Sequence, residues 1–175
     1  MVDDIKFGTL FHQVIRHTIG NSHGNVLLCW TLRLSIVQAD CTASPEPASR
    51  LPIGGPVDFA YIWGDALEVL GAAAPDARII NLETAVTRSD EYWPGKGINY
   101  RMHPDNIGCL GAARIDCCVL ANNHVLDWGY SGLAETLRSL HAAGLKTAGA
   151  GRNRQQAEAP AIIEVTGKGR VVVFA

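Results

Sequence analysis

The sequence has no excess of charge of either sign: 15 Lys and Arg against 17 Asp and Glu leave a formal net charge of −2. Without a basic footprint, nucleic acid and anionic membrane surfaces are not expected partners. Cysteine is scarce and unpatterned. The five residues, Cys29, Cys41, Cys109, Cys117 and Cys118, are odd in number, none makes a Cys-x-x-Cys spacing, and the last two are adjacent inside an apolar run. That usage fits buried reduced thiols and offers neither a disulfide framework nor a structural zinc motif. A signal peptide is also missing, since Met1-Val-Asp-Asp-Ile-Lys6 puts acids where a basic segment belongs and no small-residue cleavage pattern follows. The apolar stretch 25–37 holds Thr31, Arg33 and Ser35 and falls short of the roughly 20 residues that span a bilayer. The chain as written reads as soluble.

What is present is enough for one domain with a core, and too little for two comfortable ones, in 175 residues. The informative stretch is Asp116-Cys-Cys-Val-Leu-Ala-Asn-Asn-His-Val-Leu-Asp127. Cys117 to Ala121 is a short apolar run that reads as a buried strand, and at its end the residue type flips to Asn122, Asn123 and His124. Open α/β sheets place their ligands beyond the carboxyl ends of strands, so amide and imidazole groups there are candidates for a site. Asp127 follows one helical turn after His124, close enough to orient its ring. The same residues also read as a helix start, with Asn123 or Asp127 capping the helix that begins near Tyr130. Earlier, Arg78-Ile-Ile-Asn-Leu-Glu-Thr84 repeats the design, an apolar strand ending in Asn81 and Glu83. Two strands that end in amide, carboxylate and imidazole groups form a layout suited to divalent cations, which take oxygen and imidazole ligands from several loops.

Ile80-Asn-Leu-Glu83, Leu120-Ala-Asn-Asn-His124, Leu126-Asp-Trp-Gly129, Gly132-Leu133, Ala143-Gly144 and Ala148-Gly-Ala-Gly151, in that order, resemble the poly-γ-glutamate capsule biosynthesis proteins of CapA type, within the calcineurin-like metallophosphoesterase superfamily. The resemblance covers about residues 56–175 and implies an α/β fold, a partial metallophosphatase-like layered sandwich of strands with crossover helices. It divides the chain into an atypical segment and linker at 1–55 and a family-like domain at 56–175. It implies metal-assisted hydrolysis or transfer at a phosphoryl or acyl-phosphate group, on a phosphorylated or polyglutamate-related substrate, with a divalent ion (manganese, zinc, iron or magnesium) as cofactor. By resemblance His124 would be the catalytic proton donor steadied by Asp127, Glu83 and Asn123 metal ligands, and Asn81 and Asn122 groups that orient them. Lys96, Arg101 and His103 would contact phosphate or carboxylate. Family members are often exported or membrane-anchored, and a membrane-associated synthesis complex is implied by resemblance alone.

Two departures matter. The family opens with a strand ending in Gly-Asp, whose Asp ligates metal. Here Gly64-Asp65 lies in a helical pattern formed by Phe59, Ile62, Trp63, Ala66, Leu67 and Leu70, with Asp65 on the polar face. The chain also stops at Ala175 inside what reads as a buried strand, before the family's further histidine-bearing strands. A piece of a longer domain that binds metal weakly or not at all on its own is the expectation.

The remaining pattern is α/β. Asp4 to Ile19 has a partly helical period, 20–24 is a breaker, 26–37 could be a strand, and 39–55 is a Pro- and Gly-bearing linker. His12, His17 and His23 share no tight ligand spacing and read as surface residues. Glu83 to Gly97 reads as a loop and Asn99 to His103 as extended. Pro104 starts a helix to Ala113, and the helix crossing between the strands makes them parallel. Tyr130 to Ala143 is an amphipathic helix with a Leu133, Leu137, Leu140, Ala143 stripe and a stop at Gly144, and His141 reads as a helix-end residue. A third strand at 146–150, a short helix at 155–159 and a hairpin of 161–165 with 170–175 complete the chain.

Overall fold

The computed structural model describes residues 56–175 and, before them, the backbone of two strands at His17–Thr18 and Leu28–Trp30. The expected linker 39–55, the breaker 20–24, His12, His23 and most of the segment 4–19 lie outside the described residues. The element order is β1 (His17–Thr18), β2 (Leu28–Trp30), α1 (Ala66–Ala73), β3 (Arg78–Asn81), β4 (Ala85–Val86), β5 (Arg101–Met102), α2 (Gly108–Ala112), β6 (Cys117–Val119), α3 (Gly129–Ala142), β7 (Lys146–Ala148), α4 (Arg154–Glu158), β8 (Ala161–Val165) and β9 (Gly169–Val173). Short 3-10 turns at Tyr61–Trp63 and Pro104–Ile107 precede α1 and α2.

The main sheet runs β1-β2-β3-β6-β7, with β2, β3, β6 and β7 parallel and β1 antiparallel at one edge. Parallel strands need covered faces, and this sheet has two. Strand alternation sends Ile80 and Cys118 into a helical layer with Leu70, Leu110, Leu137 and Leu140, while Ile79 and Cys117 meet Ala161, Ile163 and Val173 of the β8–β9 hairpin. Adjacent Cys117 and Cys118 therefore point to opposite faces, which explains how both are buried and why they do not pair. The result is an α/β layered fold of helices, parallel sheet and hairpin. Among the described residues no helix is long and apolar enough to cross a membrane.

Arg78 locks the lower layer. Its Nη1 donates to the Ala113 carbonyl at the end of α2 (2.6 Å) and its Nη2 to the Leu70 carbonyl in the last turns of α1 (3.1 Å), satisfying carbonyls that helices leave open at their carboxyl ends. Thr136, buried in α3, accepts from the Val86 N–H (2.9 Å) and donates to the Gly132 carbonyl (2.8 Å), so the helix is tied to β4 by a hydrogen bond as well as by packing.

Four expectations are corrected. The helix read through Phe59 to Leu70 is broken at Gly64, whose φ of 48° and ψ of −133° leave the helical region, so Phe59 is exposed and its ring lies over Gly108. The loop 83–97 contains β4, which pairs in parallel with β5. The terminal strand is not enclosed, since Val172 and Phe174 are 49 % and 73 % exposed while Val173 packs inward. In α3, Leu137 and Leu140 are buried as expected but Ala143 is exposed, one residue before Gly144 turns left-handed at φ 78°.

Candidate functional site

The site grows from the carboxyl edge of β3 and β6. Their register sets Asn81 beside Val119, and Leu82 N–H donates to the Val119 carbonyl (3.0 Å), so both chains leave the sheet side by side. The polar residues that follow are joined. Asn81 Nδ2 donates to Glu83 Oε1 (2.9 Å), and Asn122 Nδ2 donates to both Asn81 Oδ1 and the Leu82 carbonyl (3.0 Å each). Asn122 Oδ1 accepts from the His124 N–H (3.0 Å), and His124 Nδ1 meets Asp127 Oδ2 at 2.8 Å. A continuous set of bonds thus runs from the carboxylate at 83 to the carboxylate at 127, with Asn81 and Asn122 as its middle links. The turn from Asn122 to Asp127 is tight, held by Val125 N–H to the Asn122 carbonyl (3.4 Å) and Asp127 N–H to the His124 carbonyl (3.2 Å).

Asp127 is the anchor. It is fully buried, and besides His124 it accepts from the Tyr100 N–H (2.6 Å) on Oδ2 and from Lys96 Nζ on Oδ1. Lys96 also donates to the Asn123 carbonyl. A buried carboxylate is tolerable only when it is paired and hydrogen-bonded, and here a lysine supplies the counter-charge. Because the carboxylate accepts at Nδ1, the imidazole carries its proton there and presents a lone pair at Nε2, where the Asn123 amide donates at 3.1 Å. His124 is 9 % exposed, and its ring lies tilted by 37° against Tyr100 with centroids 4.3 Å apart.

Of the residues singled out in the sequence, Asn81, Glu83, Lys96, Asn122, Asn123, His124 and Asp127 come together. The capping alternative is corrected: α3 starts at Gly129 with Trp128 in the N-cap position and no side-chain cap, Asp127 being committed to His124, Tyr100 and Lys96. Arg101 and His103 engage other groups. The Arg101 guanidinium donates to the Ser89 carbonyl (2.7 Å) and Asp90 (2.8 Å) and lies 4.1 Å over the Trp128 ring, a cation–π contact. His103 caps the 3-10 turn, its Nδ1 accepting from the Asp105 N–H at 3.2 Å. Asp65 is exposed just before α1, and His141 ends α3 with Nε2 against Thr147 Oγ1 at 2.9 Å.

The loop expected by resemblance to supply site contacts through Lys96 does close over the site, and the backbone contacts by which it does so were not legible in the sequence. Trp93 N–H donates to the Asp127 carbonyl (2.8 Å) and Trp128 Nε1 to the Tyr100 carbonyl (2.9 Å), so the stretch from 93 to 100 wraps Asp127. The signals in the sequence were the length of that loop and the placement of Lys96 in it by resemblance.

As a metal centre the described donors fall short. No three His, Cys, Asp or Glu side chains converge among the described residues, and both oxygens of Asp127 are taken. Glu83 and the Asn123 amide oxygen are two donors where a divalent ion takes four or more, roughly. The described residues therefore do not by themselves fit such an ion. Nearby, the Glu135 carboxyl is held below its usual range, chiefly by the Thr87 hydroxyl (2.5 Å) and also by the Arg88 N–H (2.9 Å). Burial pushes the thiols of Cys109 and Cys117 up to about 11 and that of Cys118 higher still, so these are packing groups and not nucleophiles.

Comparison with known proteins agrees with the motif reading. The family model described as Bacterial capsule synthesis protein PGA_cap matches residues 4–175, which takes in more of the amino-terminal segment than the motifs do. A Mycobacterium tuberculosis protein named "Probable polyglutamine synthesis accessory protein", found in two strains, is 45 % identical over 124 residues, covering 71 % of this chain and 32 % of its own length. An uncharacterized protein of Sinorhizobium fredii is 36 % identical over 121 residues, covering 64 % of this chain and 25 % of its own length. The chain spans about a third or less of the length of these curated relatives.

Proposed function

The chain belongs to the bacterial capsule synthesis protein family, and from that membership we propose that it is part of an accessory protein of polyglutamate capsule or cell-envelope polymer synthesis, acting at a phosphoryl or acyl-phosphate group. The observation that carries the reading is the buried His124–Asp127 pair at the carboxyl edge of the parallel sheet, 2.8 Å apart and bonded on through Asn122 and Asn81 to Glu83. Such an arrangement holds an imidazole in one orientation and one tautomer, which is what proton transfer needs.

In this reading the neutral Nε2 of His124 takes a proton from the attacking group, and Asp127 balances the charge of the imidazolium. The ring then gives that proton to the leaving oxygen and returns to its Nδ1–H form. Lys96 keeps Asp127 in place as charge builds on the ring. A divalent ion of the kind the family resemblance implies would polarise the phosphoryl oxygen; Glu83 and Asn123 are its candidate donors, with further ligands needed beyond those described.

The test uses the full-length parent with His124→Ala and His124→Gln, assayed on an acyl phosphate and for polymer made in cells. Loss of a proton-transfer group costs about 10²- to 10⁴-fold in rate. A rate within a factor of a few of the native one would end the catalytic reading. A panel of nucleotides and phosphodiesters separates this activity from that of other metallophosphoesterases. A second reading, a non-catalytic interaction domain, is favoured by one observation: the groups from Glu83 to Lys96 already find partners within the protein. Under it, His124→Ala lowers stability while polymer synthesis persists.

A further inference from the structure

Away from the His124 site, the edge strand β7 is bordered by two adjoining grooves. One, of about 530 Å³, lies between α3 and α4 and is lined by Arg138, His141, Thr147, Arg152 and Gln156 among others; the second, of about 390 Å³, shares His141, Thr147 and Pro160 with it and continues past Lys146 to Ile162. No Asp or Glu lines either one. That is notable in a chain whose acids outnumber its Lys and Arg, 17 to 15. Elsewhere Arg88, Lys96, Arg101, Arg154 and Lys168 are paired with carboxylates, whereas Arg138, Lys146 and Arg152 make no salt bridge among the described residues. The two adjoining grooves therefore form a band lined by exposed cations and by no acid, and the nearest acid on α3, Glu135, already shares its field with Arg88 as well as Arg138.

The band also leads somewhere. Its Ala150–Gly151 end follows directly on β7, and Gly149 presses on β6's exit: a Cβ there would stand 2.5 Å from Ala121 Cβ and 2.9 Å from the Ala121 nitrogen. Ala121 precedes Asn122, so the chain that leaves β7 into the groove packs against the chain that leaves β6 into the bonded set.

We propose that this band binds an extended anionic polymer, a chain of repeated carboxylates, and guides it to the edge where Asn122 and His124 stand. The identity of the polymer rests on the capsule-polymer reading above; the location and the contacting residues do not. Arg138 and Arg152 would hold carboxylates in paired hydrogen bonds, Lys146 would add a point charge, and Thr147 and Gln156 would supply neutral donors.

The experiment is fluorescence anisotropy of the full-length protein with end-labelled polyglutamate at low and high salt, with polyphosphate and inorganic phosphate as separate arms. Arg138→Ala and Arg152→Ala are expected to weaken polyglutamate binding about two- to fivefold each, and the pair of changes about tenfold, with the difference shrinking in salt. Arg170→Ala, on the hairpin outside the groove, keeps native affinity. Circular dichroism of each variant checks the fold, which surface arginines should not disturb. Native affinity in the double variant overturns the track. Stronger, equally arginine-dependent binding of polyphosphate overturns the carboxylate assignment. If the double variant binds normally while His124→Ala still abolishes turnover, the track falls and the proposed function stands; if the arginines matter but His124→Ala leaves polymer synthesis untouched, the reverse holds.

Discussion

Asp127→Ala removes the carboxylate on which two loops converge, and its cost can be worked from the contacts. The side chain is fully buried and accepts from the Tyr100 N–H at 2.6 Å, from His124 Nδ1 at 2.8 Å and from Lys96. Lys96 is 23 % exposed and can turn to water, so its share is small. The other two donors are left without a partner, at about 1 to 1.5 kcal/mol each, and a total near 3 kcal/mol is expected once the empty volume is included. With an m-value of about 2 kcal/mol/M, the urea midpoint falls by about 1.5 M. Asp127→Asn keeps the volume and one acceptor and should lose about half as much. The assay is urea unfolding followed by tryptophan fluorescence, with the m-value checked for constancy. A shift for Asp127→Ala below about 0.3 M, or roughly 0.6 kcal/mol, would refute the view that this residue organises the site.

Gly132→Ala should destabilise by about 1 to 2 kcal/mol even though alanine favours helix, because the new methyl would stand 2.6 Å from Trp128 Cβ; a raised midpoint in the same urea assay would contradict this. Glu135 is held below its ordinary value of about 4.3, so its contribution to stability is present above that pH and is lost as pH falls through the lowered folded value. Glu135→Gln should therefore flatten the acid limb of the stability–pH curve, and an unchanged limb would count against the Thr87–Glu135 bond. Cys109, Cys117 and Cys118 should resist iodoacetamide at pH 8 in the native protein and react on unfolding, as read by peptide mass spectrometry; labelling of the native protein at free-thiol rates would show that the core is open. Calorimetric titration of this chain with manganese or zinc should give weak or no binding, and a sub-micromolar constant lost in Asn123→Ala would show that two donors are not the whole set.

What could be read in the sequence followed from local chemistry. The flip from Cys-Cys-Val-Leu to Asn-Asn-His marks a strand end because apolar alternation has to stop where the chain leaves the core, and Asp127 lies within reach of His124 through a tight turn. The parallel pairing of β3 with β6 follows from the helix between them. The parts that could not be read depend on distant chain. Nothing local to Lys96 or Tyr100 says that they meet Asp127, because that contact requires β5 to pair with β4 and so bring the loop back over the sheet edge. Arg101 carries the same charge as Lys96 yet packs on Trp128 and Asp90, a choice set by which way β5 faces. The break at Gly64 was hidden because the apolar spacing continues across it, and only the backbone torsion there separates the 3-10 turn from α1.

The site turns on one imidazole held by one carboxylate, and nitrogen NMR of the His124 ring reads that directly. With Asp127 accepting at 2.8 Å, the neutral ring should show a protonated Nδ1 and an unprotonated Nε2, and Asp127→Asn should disturb that pattern. A ring protonated at Nε2, or one that averages between tautomers and ignores Asp127→Asn, would contradict it.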